Sequence, residues 1–432
     1  MSQVVSAGGF TEESFDAFLS TRDEPAWLTK IRREAWKHFI SLELPSKNEE
    51  EWRRTDLRRF HLEKFGPPLE SSEDITEQAI PEALLSQGVD LGGHTSAHNS
   101  RMREVSLDPE LAKQGVLFGS LSELLAEHGE QLRPHFMQAV DTSYDKFAAL
   151  HGAFWSGGTV LYVPPGVVLE RPVHIHSTLS DGGVDLGHTL VILGEGAEAT
   201  VLGETSGGAD PGLHCGGIEL LLDPSARLRY VTLQNWGHRV WHFAHQKALL
   251  KRNAQLQWTI AALGSQVAKV NQHVALVGPG AKAQVNGVMF TEGRQHMNYH
   301  TLQHHEAENC TSDLLYKGAL QDHSRIVWRG MIKVDVDAQK TCGYQRNDNL
   351  LLSADARADS IPGLEIEADD VICTHGATAG RVDEEQLFYC QSRGLTRKEA
   401  VRTVVSGFFQ QVFDRITIES VRDALGEAIG RR

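Results

Sequence analysis

Cys373 and His375 stand two residues apart at the head of the run CTHGATAGRVDEEQLFYCQSRGL. On a strand, side chains alternate with a period of two, so thiol and imidazole would share one face. Thiolate and neutral imidazole both suit iron, and two such groups make half of a metal or cluster site. A second concentration lies in HMNYHTLQHHEAENC, where His296, His300 and His304 would share a strand face, with His305 and Cys310 nearby. Such a ladder reads either as a metal site or as the polar ladder of a stacked β-structure. The five cysteines, Cys215, Cys310, Cys342, Cys373 and Cys390, are odd in number, widely spaced and free of any C-x-x-C pair. Neither a disulfide framework nor a closed zinc knuckle is indicated, and Cys390, on an expected helix, reads as packing.

Composition bounds the function. A chain of 432 residues with 41% hydrophobic and 23% charged residues is an ordinary soluble globular sequence with room for two or three domains. Its net charge of −15 argues against an extended nucleic-acid face, which needs a basic stripe. The first thirty residues lack a basic start followed by an apolar run, and no apolar stretch is long enough to span a bilayer. The expectation is a cytoplasmic protein, with no membrane and no nucleic-acid partner.

Three zones must position the candidate ligands. Residues 1–157 read as mostly helical: PAWLTKIRREAWKHFISLEL has helical apolar spacing, and SLSELLAEHGEQLRPHFMQAV begins at a cap, Ser120 or Ser122. The acidic sequence between them reads as a linker or loop. From 158 to 382, short β-rich runs are punctuated by Gly, Pro and Asp. A small residue recurs at Ala197, Ala226, Ala254 and Ala281, 29, 28 and 27 residues apart, then at Ser324, Ala338 and Ala356 with gaps of 43, 14 and 18. Repetition near 28 predicts stacked coils, each burying its apolar face against its neighbours: a β-solenoid, in preference to a jelly roll. Residues 383–432 are helical again. Gly394 would end one helix, and Thr396 with Glu399 would cap the next. That next helix carries a stripe through Ala400, Val404, Val405, Phe408, Phe409, Val412 and Phe413.

Long segments from about Asp145 onward, among them DKFAALHGAFWSGGTVLYVPPGV, VWHFAHQKA, TSDLLYKGAL and NLLLSADARADSIPGLEIEADDV, resemble the SufB/SufD family of the SUF iron–sulfur cluster assembly system. HGAT, where SufB typically reads H-E-A-T, resembles the SufD branch. The resemblance implies a mainly β fold, a right-handed parallel β-helix between helical terminal regions. It implies a non-catalytic scaffold that pairs with SufB through the β-helix ends and binds the ABC ATPase SufC through its C-terminal helices. By the same resemblance, His375 and Cys373 are transient ligands of a cluster assembled with SufB. The ATPase surface would comprise Phe388, Leu395, Val404, Phe408, Phe409, Val412 and Phe413. His296 and His305 fit the family pattern, whereas His300, His304 and Cys310 do not, and Cys342 has no implied role.

The chain lacks a G-x-x-x-x-G-K-[ST] loop, so ATP chemistry would come from a partner. The family is associated with reduced flavin, and LQNWG and VWHFAHQ supply aromatics beside His242 and His245. Solenoid packing is the competing reading of those residues, and no Rossmann glycine pattern accompanies them. Two other readings stay open: a β-helical carbohydrate-active enzyme, and a homodimeric SufB-like scaffold holding its own cluster between two copies; the SufD-like reading also allows a homodimer when SufB is absent.

Overall fold

The structure, a computed structural model, describes residues 9–68 and 81–430. The zone expected to be repetitive winds into a parallel β-solenoid of about eight turns, with helices in both terminal regions. Successive strands alternate between two sheets, so each turn contributes one strand to each. Along one sheet Arg227 pairs in register with Gln255, then Lys282, Thr311, Cys342 and Ile372. Ala197, Ala226, Ala254 and Ala281 are the fully buried residues that precede successive strands of that sheet. Only a small side chain fits at that corner. Cys310 takes the next position, equally buried, with Sγ 3.4 Å from the Gly278 carbonyl. The repeat therefore continues where alanines alone showed a gap of 43. Ser324 and Ala356 precede strands of the opposite sheet.

The core lies between the sheets. Val201, Tyr230, Trp258, Val285 and Leu314 form one inward column, all essentially inaccessible. Each contributes roughly 1.5–3 kcal/mol by burial.

The N-terminal region is mixed, not mostly helical. Helices Glu12–Ser20, Ala26–Ser41 and Lys146–Phe154 are joined by strands Gly93–His98 and Arg101–Leu107. Those strands come from the stretch expected to be a linker. Gly93–His98 pairs parallel with Val173–Leu179 and antiparallel with Arg101–Leu107, covering the first edge of its sheet. The region is pinned to the solenoid by buried carboxylates. Glu204 accepts from the Leu84 and Leu85 amides, and Glu219 from those of Met137, Ala139 and Val140 at 2.5–3.0 Å.

At the C-terminus, Asp383 caps the helix Glu384–Ser392. Gly394 adopts φ +97°, and Thr396 and Glu399 form the capping box of Arg397–Phe413. This helix and Glu419–Gly430 cover the flank of one sheet, where Phe409, Val412 and Phe413 pack on Leu233, Leu263, Val288, Phe290 and Leu315. Those residues form an apolar outer face that would otherwise meet water. Among the described residues no helix is long and apolar enough to cross a membrane.

Candidate functional site at the open end of the solenoid

The last turn consists of strands Arg357–Ile366 and Val371–Arg381, and among the described residues no further strand pairs with either. Cys373 and His375 lie on the second, opposite Gly343 and Gln345 in the parallel ladder. The predicted common face is the inward one: the column from Val201 to Leu314 continues through Gln345 to His375. Near this end the interior turns polar. Tyr316 gives way to Asn347, and Trp328 to Ser360. Ser360 Oγ donates to Asn347 Oδ1 at 2.6 Å, and Asn349 Nδ2 reaches both at 2.7 and 3.1 Å. Gln345 Nε2 donates to the Gly363 carbonyl at 2.9 Å, while its buried Oε1 has no hydrogen-bond partner. The interior at this end is thus polar and partly unsatisfied, in contrast to the apolar column that precedes it.

Cys373 is half-buried against Ile332, Val334, Ala338 and Ala368. Gly343 makes room for it: a Cβ there would stand 3.3 Å from Cys373 Sγ. Burial pushes the thiol pKa up, so at neutral pH it is a protonated thiol that metal coordination would have to deprotonate. His375 is exposed. No group of three His, Cys, Asp or Glu residues suited to a metal occurs among the described residues.

The two strand edges differ. The Arg357 and Glu367 amides donate back to Ser324 and Val334, so odd-numbered residues of Arg357–Ile366 bond inward and even-numbered ones face the open side. Pro362 occupies an open-side position and supplies no N–H there, which blunts the edge. In the other sheet, the Val382 amide donates to Leu351 O and Asp370 O accepts from Lys340 N. Even-numbered residues of Val371–Arg381 thus bond inward, while Cys373, His375, Ala377 and Ala379 turn backbone N–H and C=O outward. This edge has no proline and is competent to pair with another strand. Neither Gln345 nor the contrast between the edges shows in composition or spacing; both depend on register.

The other candidates separate. His296, His300 and His304 do share a face, but four-residue spacing on a strand puts successive rings about 13 Å apart, too far for one ion. His304 bonds to Asp335 at 2.9 Å, and the inward-facing His305 to Ser312 Oγ at 2.8 Å. Cys215 is buried beneath the Phe147 carbonyl, and Cys342 is exposed on the outer face. Trp236, Trp241 and Phe243 are core residues, Phe243 stacking on Phe147 with ring centroids 3.7 Å apart.

The stripe expected to dock a partner is largely spent inside the chain. Phe409, Val412 and Phe413 are buried on the sheet flank. Val404 and Phe408 are half-buried, Phe408 beneath the Lys317 ammonium. Phe409, Val412 and Phe413 thus pack on the apolar outer face of the sheet, and Val404 and Phe408 lie at the margin of that contact. Exposed apolar surface persists one helix earlier, at Phe388 (73%) and Tyr389 (60%), with Leu395 half-buried in the following turn.

Comparison with known proteins agrees with this architecture. Residues 176–408 match the family model described as SUF system FeS cluster assembly, SufBD core domain, and residues 16–175 match the SufBD protein N-terminal region. An iron–sulfur cluster assembly SufBD family protein of Staphylococcus epidermidis is 27% identical over 423 residues, covering 95% of this chain and 90% of the relative. Relatives so described from Staphylococcus saprophyticus and Staphylococcus aureus are each 26% identical with the same coverage. With two family models together spanning residues 16–408 of a β-solenoid, the chain belongs to the SufBD family of SUF-system iron–sulfur cluster assembly proteins.

Proposed function

We propose that this chain is a SufD-like, non-catalytic scaffold subunit that pairs with a SufB-like scaffold through the open end of its solenoid. The nascent iron–sulfur cluster is its cargo, held at that junction by His375 and Cys373 together with residues of the other subunit. The observation that carries the reading is the unblunted edge Val371–Arg381, which presents both candidate ligands beside a polar, partly unsatisfied interior. Strand pairing there would bring a second chain's side chains to the same inward face. A protonated, half-buried thiol and an exposed imidazole suit a site that forms and releases its cargo, since each ligand must be recruited when the junction assembles.

A SufC-like ATPase would dock on the exposed apolar surface of Phe388, Tyr389 and Leu395, since the following helix is committed to the sheet flank. The same edge-to-edge contact would support a homodimer when the SufB-like subunit is missing.

The test is anaerobic co-expression with the SufB and SufC of the same organism, with size and subunit-ratio analysis and assay of iron and sulfide. The expected outcome is one copy each of SufB and this chain with two of SufC, and a cluster yield that falls in His375→Ala while assembly persists. A chain that ignores both partners would overturn the proposal.

A further inference from the structure

On the outer face of the sheet that the C-terminal helices leave uncovered lies a cleft of about 380 Å³, reaching to the strand next to the open end. That volume falls in the range of small-molecule sites. Its floor is two adjacent rows of outward side chains. One row runs His245, Asn271, His300 and Arg329 across four strands; the next runs Lys247, His273, Leu302 and Met331. Its wall is the segment 139–144 with Glu51. The wall is preformed: the buried Glu219 carboxylate holds the Ala139 and Val140 amides, and Asp145, capping the next helix, meets His245 Nε2 at 3.2 Å.

Two cations, Lys247 and Arg329, line the floor. Arg329 and Arg54 flank His300 together with Lys269, which burial pushes down to about 7, and Lys247 stands by His273. Burial and this cationic surround push the two imidazoles down to about 2 and about 3. The rim also carries acids, each held by neutral donors. Glu51 accepts from the Tyr144 hydroxyl, and Asp141 from the amide and hydroxyl of Ser143. Arg329 meets Glu50 at 3.2 Å, yet its buried Nη1 has no hydrogen-bond partner, and neither do His245 Nδ1 or His273 Nε2. The unpaired guanidinium nitrogen and imidazole nitrogens beside the two lining cations are costly to maintain unless something completes them. Met331, Leu302 and Val140 add apolar surface beside the charges.

We infer that this cleft binds a small organic anion, a carboxylate or phosphate head meeting His300 between Arg329 and Lys247, with an apolar body against Leu302, Met331 and Tyr144. This site is separate from the candidate ligands and stands or falls independently of the cluster proposal.

The test is calorimetric titration of the full chain at neutral pH with phenyl phosphate, phenylacetate and benzyl alcohol. At least one anion should bind about tenfold or more tighter than the neutral alcohol, and which one binds identifies the head group. Arg329→Gln and Lys247→Gln, each checked by thermal melting to be folded, should each weaken that anion by about tenfold. Equal binding of benzyl alcohol would overturn the inference. So would wild-type binding by both variants, or absence of anion binding up to about 10 mM.

Discussion

A proline at Ala377 separates the edge used by a partner from the ladder that holds the fold. Ala377 is one of the open-side residues of Val371–Arg381, so its N–H takes no part in the bonds to Thr341–Leu351. Proline there removes a donor only the partner would use, and the preceding Gly376 is already in the extended conformation that proline demands of its neighbour. The isolated chain should lose no more than about 0.5 kcal/mol, as for an ordinary exposed substitution. Pairing should lose one hydrogen bond, about 1 kcal/mol, and leave a partner carbonyl unsatisfied, a further 1–3 kcal/mol or so. The sum, about 2–4 kcal/mol, weakens association roughly 30- to 1,000-fold. Thr378→Pro is the contrast. Its N–H bonds inward and its Oγ1 donates to Asp348 at 2.7 Å, so it should lower thermal stability by about 3 kcal/mol. Sedimentation with the SufB-like partner, or of the chain with itself, reads the first effect, and thermal melting the second. Wild-type assembly by Ala377→Pro would refute the reasoning, as would equal destabilisation by the two prolines.

Other perturbations test the remaining assignments. Phe388→Asp should leave the melting temperature unchanged, because the ring is exposed, yet weaken capture of a SufC-like ATPase by about 2 kcal/mol or more in a pull-down titration. Phe409→Ala should do the reverse, costing about 3–5 kcal/mol of stability in urea unfolding by opening a cavity on the sheet flank. Glu219→Gln keeps the shape but not the charge that receives three backbone amides, and should cost about 2–4 kcal/mol by the same measurement. Acidification should destabilise the chain below pH 6.5. Burial pushes His305 down to about 4, and His151 and His242 well below their usual value. The unfolded imidazoles take protons near 6.5 while the folded ones do not, so stability is full above that pH and falls as pH drops toward 4. Each group contributes about 1.4 kcal/mol per pH unit in that window. A urea midpoint unchanged between pH 7.5 and 5.5 would contradict this.

Much of the architecture was legible because it is local. Ala197, Ala226, Ala254 and Ala281 recur because each corner of a coil admits only a small side chain, and that constraint repeats once per turn. Thr396 and Glu399 announce a helix start because a capping box involves four consecutive residues. Cys373 and His375 share a face because strand periodicity makes them do so. Gly93–His98, within the stretch expected to be a linker, shows no such signal. It becomes strand only because an uncovered sheet edge accepts it.

What the chain's own order of residues determined, then, is the coil, its period, its caps and the pairing of thiol with imidazole. Tertiary structure decided which surfaces are spent and which remain. The stripe of Phe409, Val412 and Phe413 is apolar whatever covers it; only the facing Leu233, Val288 and Leu315 turn it inward and leave Phe388 and Tyr389 outside. Likewise, register alone puts Gln345 beneath His375, turns Pro362 to one open edge and leaves the other free to pair. The division has a physical cause. Periodicity and capping act over a few residues or one coil, whereas the choice of a packing partner depends on which apolar and polar faces the finished fold brings opposite one another.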